Sequence, residues 1–242
     1  LQRRIESTTA ALESFQTRQA LQEAFFGVEA DLKWYRRRLP EGVTGGEVLR
    51  DLCHTWVRLL APFIPFTCEA LWRDLGEEGM VSFAPWPEAD ETKINPEVEL
   101  AEELLARTVE DIESIKKLIP MEPKSISLYV APAWKHEIFR MVASSDDRTR
   151  GMHTVMQNEE IRRRGREATD AAKQITKLVL KLPPHLVQQI AELKLDEQEI
   201  LESSRTFLEH EFGVPVSVQT AGESVHPKAS GALPFKPAIV IE

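Results

Sequence analysis

Long apolar runs and cysteine are what this sequence has least of. No apolar stretch approaches the roughly 20 residues that span a bilayer, which argues against a membrane-spanning protein and against a membrane partner. The two cysteines, Cys53 and Cys68, have no second pair that would complete a metal site. We therefore expect no bound metal ion, and we expect reduced thiols in a cytoplasmic protein.

Catalytic signatures are absent as well. No pair of histidines has the spacing of metal ligands, no glycine-rich phosphate loop follows a predicted strand, and no local context suggests a set of serine, histidine and acid. We expect no catalytic site and no cofactor in this chain.

Positive charge is in deficit, because 39 acidic residues outnumber 30 basic ones and leave a net charge of -9. Such a chain does not coat nucleic acid indiscriminately, and we expect no DNA partner. Its apolar fraction of 42% is nevertheless typical of a globular protein, and 242 residues are enough for two ordinary domains. Residue 1 lies inside an amphipathic pattern that no Met precedes, so we expect a piece of a longer protein.

A proline-containing helical segment, HTWVRLLAPFIPFTCEALWRDL at 54–75, is the most informative local pattern. Pro62 and Pro65 remove amide donors from an otherwise helical stretch, so we expect two short helices that meet at a corner. Pro65 suits the first turn of the second helix, and Gly76 suits a left-handed end. The residues expected to be buried between neighbouring helices are Leu59, Leu60, Phe63, Phe66, Leu71, Trp72 and Leu75.

Residues 1–80 are predicted to form an antiparallel helix bundle. Two amphipathic helices precede Pro40, Thr44 is the predicted N-cap of a third, and the proline corner leads into the fourth. Residues 81–95 combine aromatics and prolines without a helical period. We interpret them as an extended connector that packs on the bundle.

Residues 96–242 are predicted to form a helical domain that contains a small sheet of about three short strands. A long helix runs from Pro96 to Pro120, and Asp196 and Gly213 are the predicted cap and stop of a later helix. The predicted fold class is therefore mainly α with a small α+β domain. The predicted strands cover residues 125–130, 214–218 and 235–241, with the last one at an edge of the sheet.

A first basic cluster, KWYRRR at 33–38, ends the second predicted helix. Helical geometry turns Trp34 away from the core, with Arg37 and Arg38 beside it. A phosphate-binding face uses such residues, because Arg neutralises backbone charge while an indole packs on a sugar or base; Lys33 would add a further cation. The alternative is that cations favour a helix C-terminus and that Trp34 packs against another domain.

A second basic cluster lies at 162–177. Nine Lys or Arg minus four Asp or Glu give residues 148–181 a charge of +5 within a chain of -9. Such a patch on an acidic protein would orient a nucleic acid in one register, whereas a solvated helix face is the alternative. The candidate contacts are Arg162, Arg163, Arg164, Arg166, Lys173 and Lys177.

The segment APFIPFTCEALW, at 61–72, resembles the A-P-F-x-P-x-x-x-E-x-L-W signature in the helical anticodon-binding domain of leucyl-, isoleucyl- and valyl-tRNA synthetases. Isoleucyl enzymes often carry zinc-binding cysteines near their end, and valyl enzymes often end in a coiled coil; this chain has neither. Three further segments resemble archaeal-type leucyl-tRNA synthetases in particular: DLKWYRRR at 31–38, MQNEEIRRRGREA at 156–168 and HPKASGALPFKPAIVIE at 226–242.

This resemblance implies ATP-dependent charging of tRNA(Leu) by the parent protein. The catalytic motifs of the HIGH and KMSKS type are absent here, so ATP and Mg²⁺ would be used by an upstream catalytic domain, which an editing domain accompanies. The resemblance also implies that the long variable arm and core of tRNA(Leu) are recognised instead of the anticodon. The C-terminal domain would make that contact.

On this sequence the implied arm contacts are Ile241 and Glu242, with Lys236 in the same closing segment. A terminal strand can present backbone groups and a carboxylate to base edges, as RNA readers do. A frayed tail is the alternative for the last two residues. Besides an isoleucyl or valyl enzyme, a protein-binding adaptor with Trp34 and Trp86 as anchors remains the competing interpretation of the whole chain.

Overall fold

The chain divides into two compact units, Leu1–Asn95 and Pro96–Glu242. The computed structural model describes residues 1–119, 122–145, 155, 157–224 and 226–242. The predicted fold class is confirmed, because both units are mainly helical and the second contains a small mixed sheet. No helix within these residues is long and apolar enough to cross a membrane.

The first unit is helical. Its core is formed by Ile5, Ala24, Val57, Leu59, Leu60, Cys68, Trp72 and Val81. Short 3₁₀ turns cover Val81–Phe83 and Glu91–Lys93. The longer elements are α1 (Gln2–Glu13), α2 (Thr17–Leu21), a π-helical segment (Gln22–Gly27), α3 (Val28–Arg38), α4 (Gly46–Leu60) and α5 (Pro65–Asp74).

The proline corner is confirmed. Helix α4 ends at Leu60, α5 begins with Pro65, and Gly76 has a positive φ of 86° after the helix. Burial differs from the prediction at Phe66, which is 91% exposed, and at Leu71, which is 42% exposed. Phe66 lies two residues before the buried Cys68, about 200° around the helix, and therefore points away from α4.

The predicted cap of α4 is wrong. Thr44 does not cap the helix. Gly45 occupies the N-cap position with a φ of 65°, and the helix has no hydrogen bond from a capping side chain. A Cβ on Gly45 would lie 2.8 Å from Oη of Tyr35 and 3.3 Å from a methyl carbon of Leu39. This close approach and the left-handed backbone both require glycine, so the turn is set one residue later than the prediction.

An arginine joins α1 to α3 in the first unit. Nε and Nη2 of Arg4 donate to the two carboxylate oxygens of Asp31 at 2.9 Å each, and Nη1 donates to Oε2 of Glu23 at 2.6 Å. These hydrogen bonds raise the pKa of Arg4 above its usual range. Gly27 leaves room for the guanidinium, because a Cβ there would lie 2.9 Å from Cζ of Arg4.

The second unit contains seven α-helices and three strands among its described residues. Helix α6 ends at Lys116, and Pro120, its predicted end, lies outside the described residues. The elements are α6 (Pro96–Lys116), β1 (Ile126–Val130), α7 (Ala133–Ala143), α8 (Glu159–Arg163), α9 (Arg166–Lys181), α10 (Pro184–Leu193), α11 (Glu197–Ser203), α12 (Arg205–Phe212), β2 (Val216–Thr220) and β3 (Ala238–Ile241).

The sheet has the order β2-β1-β3. Strand β1 pairs with β2 in parallel, with Ile126 opposite Val216, and with β3 antiparallel, with Ile126 opposite Ile241. All three predicted strands are present, and β3 lies at an edge as predicted. β2 and β3 begin later than predicted, at Val216 and Ala238; for β3 this is because Phe235 belongs to the turn that Leu233 and Lys236 close. The side chain of Asp196 caps α11 by accepting from the amide of Glu199 at 3.0 Å, and Gly213 ends α12 with a φ of 69°, as predicted. The single helix predicted between them is wrong, because the backbone of Ser204, with a φ of -92° and a ψ of 3°, divides it into α11 and α12.

Helices α7, α8, α9 and α10 enclose a core of their own. Val155 is buried in it as well. This core positions the second basic cluster, because each of the helices that carries a basic residue of the cluster also contributes side chains to the core. The buried residues include Ile138, Phe139, Val142, Ile161, Ala168, Ala172, Ile175, Val179 and Val187.

Candidate nucleic-acid interface

The first basic cluster lies on the last turns of α3. Lys33 is exposed, and its Nζ lies 2.8 Å from Oε1 of Glu29, one turn earlier on the same helix. Trp34, Arg37 and Arg38 are partly buried, and each already takes part in an interaction within the chain. The side chains that the sequence placed on an outer face therefore expose only part of their surface.

The second basic cluster spans the junction between α8 and α9. Arg162 and Arg163 end α8, Arg164 is its C-cap, Gly165 is the N-cap of α9 with a φ of 62°, and Arg166 begins α9. All four arginines are exposed. The side chain of Arg166 is 95% exposed, and its Nε lies 3.7 Å from Oδ2 of Asp170. The break between the two helices thus brings four exposed arginines together over a short length of chain.

Lys173 and Lys177 extend this surface along α9. They are one helical turn apart and both are exposed. The opposite side of α9 is buried through Ala172, Ile175 and Val179. Since the apolar face fixes the rotation of the helix, the lysines lie on the same exposed side of α9 as Arg166, with Asp170 between them.

Trp134 on α7 is a candidate that the sequence reasoning missed. Cζ of Arg164 lies 4.8 Å from the centre of its ring, within the range of a cation–π interaction. The ring is partly buried. It helps to line a cleft of about 330 Å³ together with Glu137, Glu160, Ile161, Arg163 and Arg164. No local signal in the sequence marks it, because Trp134 lies on α7 whereas Arg164 lies at the end of α8.

The polar side chain of Asn158 fixes α8 against α7. Its Oδ1 accepts from the amides of Glu160 and Ile161, which caps α8, and its Nδ2 donates to Oε1 of Glu137 at 3.3 Å. The cleft beside Trp134 is therefore bounded by a capped helix that is bonded to the helix carrying the tryptophan.

The closing residues are hydrogen-bonded to the sheet. The amide of Glu242 donates to the carbonyl of Ser125, and the carbonyl of Glu242 accepts from the amide of Ser125, each at 3.1 Å. The side chain of Glu242 is exposed. Lys236 is exposed, and its Nζ lies 3.7 Å from Oδ2 of Asp111 on α6. The tail is thus an ordered strand end.

The outer edge of β3 carries main-chain groups that do not face β1. Ser125 and Glu242 exchange two hydrogen bonds, so the next pair, Ile126 and Ile241, is of the non-hydrogen-bonded kind. The amide and carbonyl of Ile241, and by the same alternation those of Ile239, point towards the edge of the sheet. Ile241 therefore presents a donor and an acceptor next to the carboxylate of Glu242.

Trp86, the other aromatic considered as a protein anchor, is tied to the first unit. Its Nε1 donates to Oγ1 of Thr9 at 2.9 Å, and its ring packs against the helical core. In the described parts of the chain, no three His, Cys, Asp or Glu side chains are grouped in a way that could hold a metal ion.

Residues 1–128 match the model of the anticodon-binding domain of tRNA ligases. The chain belongs to this family. It is 39% identical to a leucine–tRNA ligase of Pyrococcus abyssi and 40% identical to one of Methanothrix thermoacetophila, and both alignments cover all of this chain. The resemblance to leucyl enzymes is thereby confirmed. The chain spans about a quarter of these relatives, 24% and 25% of their lengths.

Proposed function

We propose that this chain is the tRNA-binding part of a leucine–tRNA ligase, which holds tRNA(Leu) while an upstream catalytic domain charges it with leucine. ATP and Mg²⁺ would serve that upstream domain, and an editing domain would belong to the same polypeptide. The observation that carries the proposal is the exposed second basic cluster on a chain of net charge -9. Membership of the anticodon-binding family supports tRNA as the ligand.

The second basic cluster suits the backbone of a folded RNA. Arg162, Arg163 and Arg166 expose their guanidinium groups, which can neutralise phosphates and release condensed counterions. Lys173 and Lys177 continue the same surface along α9. Because the rest of the chain is acidic, an RNA that approaches elsewhere is repelled, and binding in one orientation is favoured.

Trp134 and Arg164 add a stacking surface to this cluster. An indole and a guanidinium both present flat faces on which an unpaired base can stack, and such stacking tolerates any base. The cleft of about 330 Å³ beside them is lined by Arg163 as well, which would contact the phosphate of a stacked nucleotide. The first basic cluster, with Lys33, Trp34, Arg37 and Arg38, would add weaker contacts because most of its members are partly buried.

The edge of β3 is proposed to contact the long variable arm and not the anticodon. Ile241 offers a main-chain donor and acceptor, and Glu242 adds a carboxylate that can accept from the amino groups of bases. Lys236 lies in the same closing segment and would bind a phosphate of the arm. The arginines would thus supply most of the affinity for tRNA, and Ile241 and Glu242 would supply the selectivity for tRNA(Leu).

A gel-shift titration tests the proposal. The full-length protein is titrated against tRNA(Leu), tRNA(Leu) whose long arm is deleted, and a tRNA with a short arm. We expect tRNA(Leu) to bind about tenfold more tightly than the other two, as expected when a few base contacts are lost. Equal affinity for all three would contradict recognition of the arm, and no shift with any of them would contradict tRNA binding.

Deletion of Ile241 and Glu242 from the full-length protein tests the tail. Leucylation of tRNA(Leu) should fall, whereas activation of leucine with ATP, which needs no tRNA, should stay unchanged. Equal losses in both reactions would contradict a tRNA contact by the tail. A protein-binding adaptor is less well supported, because Trp86 is engaged with Thr9 and the core of the first unit.

A further inference from the structure

The loop between β2 and β3 is held by two buried titratable side chains, one a lysine and the other a glutamic acid. Lys135 on α7 is 3% exposed and Glu197 at the start of α11 is 4% exposed. The hydrogen bonds of both side chains go to main-chain groups and not to a side chain of opposite charge. Both bond to the main chain of residues 230–235, the segment that leads directly into β3.

Lys135 binds the end of a short 3₁₀ helix, Pro227–Gly231. Its Nζ donates to the carbonyl of Ser230 at 2.6 Å and to the carbonyl of Ala232 at 2.7 Å. The carbonyls at the end of a helix lack partners within the helix, so the buried ammonium satisfies groups that would otherwise be buried unpaired. Burial lowers the pKa of Lys135, and nearby Glu167 opposes this effect.

Glu197 binds the turn that follows. Leu233 and Lys236 exchange main-chain hydrogen bonds at 3.0 and 2.9 Å, which places Pro234 and Phe235 at the centre of a four-residue turn. Such a turn pairs the amides at its ends and leaves the amide of its third residue without a partner. Oε1 of Glu197 accepts from that amide, on Phe235, at 2.7 Å.

Phe235 has an unusual backbone conformation. Its φ is 60°, in the left-handed region that glycine or asparagine normally occupies, and its side chain is 5% exposed. A bulky residue stays in this region only when its surroundings hold it there. Here the conformation is held by the burial of the Phe235 ring and by the hydrogen bond from the Phe235 amide to the carboxyl of Glu197.

The other end of the loop is fixed to β1. The ring of His226 stacks on the ring of Tyr129 with 5.8 Å between centres and 10° between planes. Beyond the turn, β3 pairs with β1 from Ala238 to Ile241. The register of β3, and hence which of its main-chain groups reach the open edge, depends on where this turn ends.

We propose that Lys135 and Glu197 are positioning residues that set the register of β3 and thereby present Ile241 and Glu242 to a partner without touching it. The consequence for RNA rests on the proposed contact between the tail and tRNA(Leu). The positioning itself does not depend on it, and it can be measured in the absence of RNA.

Amide hydrogen exchange of the full-length protein tests the positioning. Glu197→Ala and Lys135→Met remove the two anchors. Glu197→Gln keeps an acceptor for the amide of Phe235, and Glu199→Ala changes an exposed residue of the same helix as a matched control. We expect the amides of Val240 and Glu242 to exchange about tenfold faster in the first two variants and at the wild-type rate in the last two.

The pattern of exchange decides between positioning and general stability. Unchanged exchange at Val240 and Glu242 in Glu197→Ala would overturn the inference. So would faster exchange throughout α9 and β1, because a residue needed only for stability would loosen the whole unit.

Affinity for tRNA(Leu) separates the inference from the proposed function. If both hold, Glu197→Ala weakens binding about tenfold, and this loss disappears when Ile241 and Glu242 are already deleted, as expected for coupled changes. If Glu197→Ala speeds exchange in β3 but leaves the affinity for tRNA(Leu) unchanged, the positioning of β3 is supported and the contact of Ile241 and Glu242 with tRNA(Leu) is contradicted. An equal loss of affinity in the truncated protein would show that Glu197 acts elsewhere and would overturn the inference.

Discussion

The two units treat their charged side chains differently. In the first, Arg4 is half-buried and bonded to the carboxylates of Asp31 and Glu23. In the second, the buried side chains of Lys135 and Glu197 bond to main-chain groups, while the arginines at 162–166 are exposed. Arg4 therefore joins two helices of the first unit, whereas the arginines at 162–166 of the second unit expose their side chains to an outside ligand.

The largest effect that would test this contrast is expected in the second basic cluster. Replacing Arg162, Arg163 and Arg166 by Ala should weaken tRNA(Leu) binding about 100-fold at low salt and make the slope of log K against log salt shallower by about 2, since three phosphate contacts are lost. Filter binding over a salt series measures both. Arg205→Ala is the matched control, because Arg205 pairs with Glu202 at 2.8 Å in the same unit; an unchanged slope in the triple variant would refute the contact.

A smaller effect is expected from the buried carboxyl of Glu197. Burial raises its pKa to about 8, and its Oε2 has no hydrogen-bond partner among the described residues. His136 Nε2 lies 3.7 Å from Oε1, but burial lowers the pKa of His136, so both groups favour their neutral forms. Asp196, next in the chain, also raises the pKa of Glu197.

This carboxyl should make the protein less stable at alkaline pH. Since the folded-state pKa lies above the unfolded value, the stabilisation is complete below about pH 4.5 and is lost as the pH rises through about 8. Glu197→Gln cannot ionise, so its free energy of unfolding should exceed that of the wild type by a margin that grows by about 2 kcal/mol from pH 6 to 8. Urea unfolding measures this margin, Glu199→Gln is the control, and a constant margin would contradict the prediction.

A substitution of Arg4 tests whether the charged side chains of the first unit serve stability and not tRNA binding. Arg4→Met should lower the free energy of unfolding by about 1–2 kcal/mol, because two carboxylates lose a charge-assisted partner at a half-exposed site. Affinity for tRNA(Leu) should stay unchanged. Arg3→Met is the control, since Arg3 lies 3.5 Å from Glu6 in an exposed pair on the same helix. A loss of tRNA affinity in Arg4→Met would contradict the prediction that Arg4 serves only the stability of the first unit.

The smallest effect is expected at the first basic cluster. Replacing Lys33, Arg37 and Arg38 by Ala should weaken tRNA(Leu) binding about threefold, since two of these side chains are partly buried and the third pairs with Glu29. The same filter-binding assay measures it. A loss as large as that of the triple arginine variant would reverse the ranking of the two clusters.

Local chemistry made much of the fold predictable. Pro65 and Gly76 mark the ends of α5 because proline suits a first turn and glycine a left-handed stop, and Asp196 caps α11 for an equally local reason. Thr44 failed as a cap because the contact that fixes Gly45 comes from Tyr35 on another helix. Phe66 was expected in the core, since periodicity gives the apolar residues of a helix but not which of them has a neighbour.

The residues of the candidate site also fall into those that the sequence predicts and those that only the packing of helices and loops reveals. The run of arginines at 162–166 is visible in the sequence, and so is the amphipathic α9 that carries Lys173 and Lys177. Trp134 was missed because its relation to Arg164 arises only when α7 and α8 pack together. Lys135 and Glu197 resemble ordinary surface charges in the sequence, and only the path of the loop at 230–235 shows that they are buried.

The pairing of β1 with strands that come much later in the chain has a consequence for synthesis and refolding. β1 ends at Val130, but its neighbours begin at Val216 and Ala238, so two large loops must close before any ladder forms. Sheet assembly is therefore expected to be the late, slow step, after the helices have formed from local contacts. Until residues 238–241 have been synthesised and have left the ribosome, the middle strand has an open side with which a chaperone or a neighbouring nascent chain can pair.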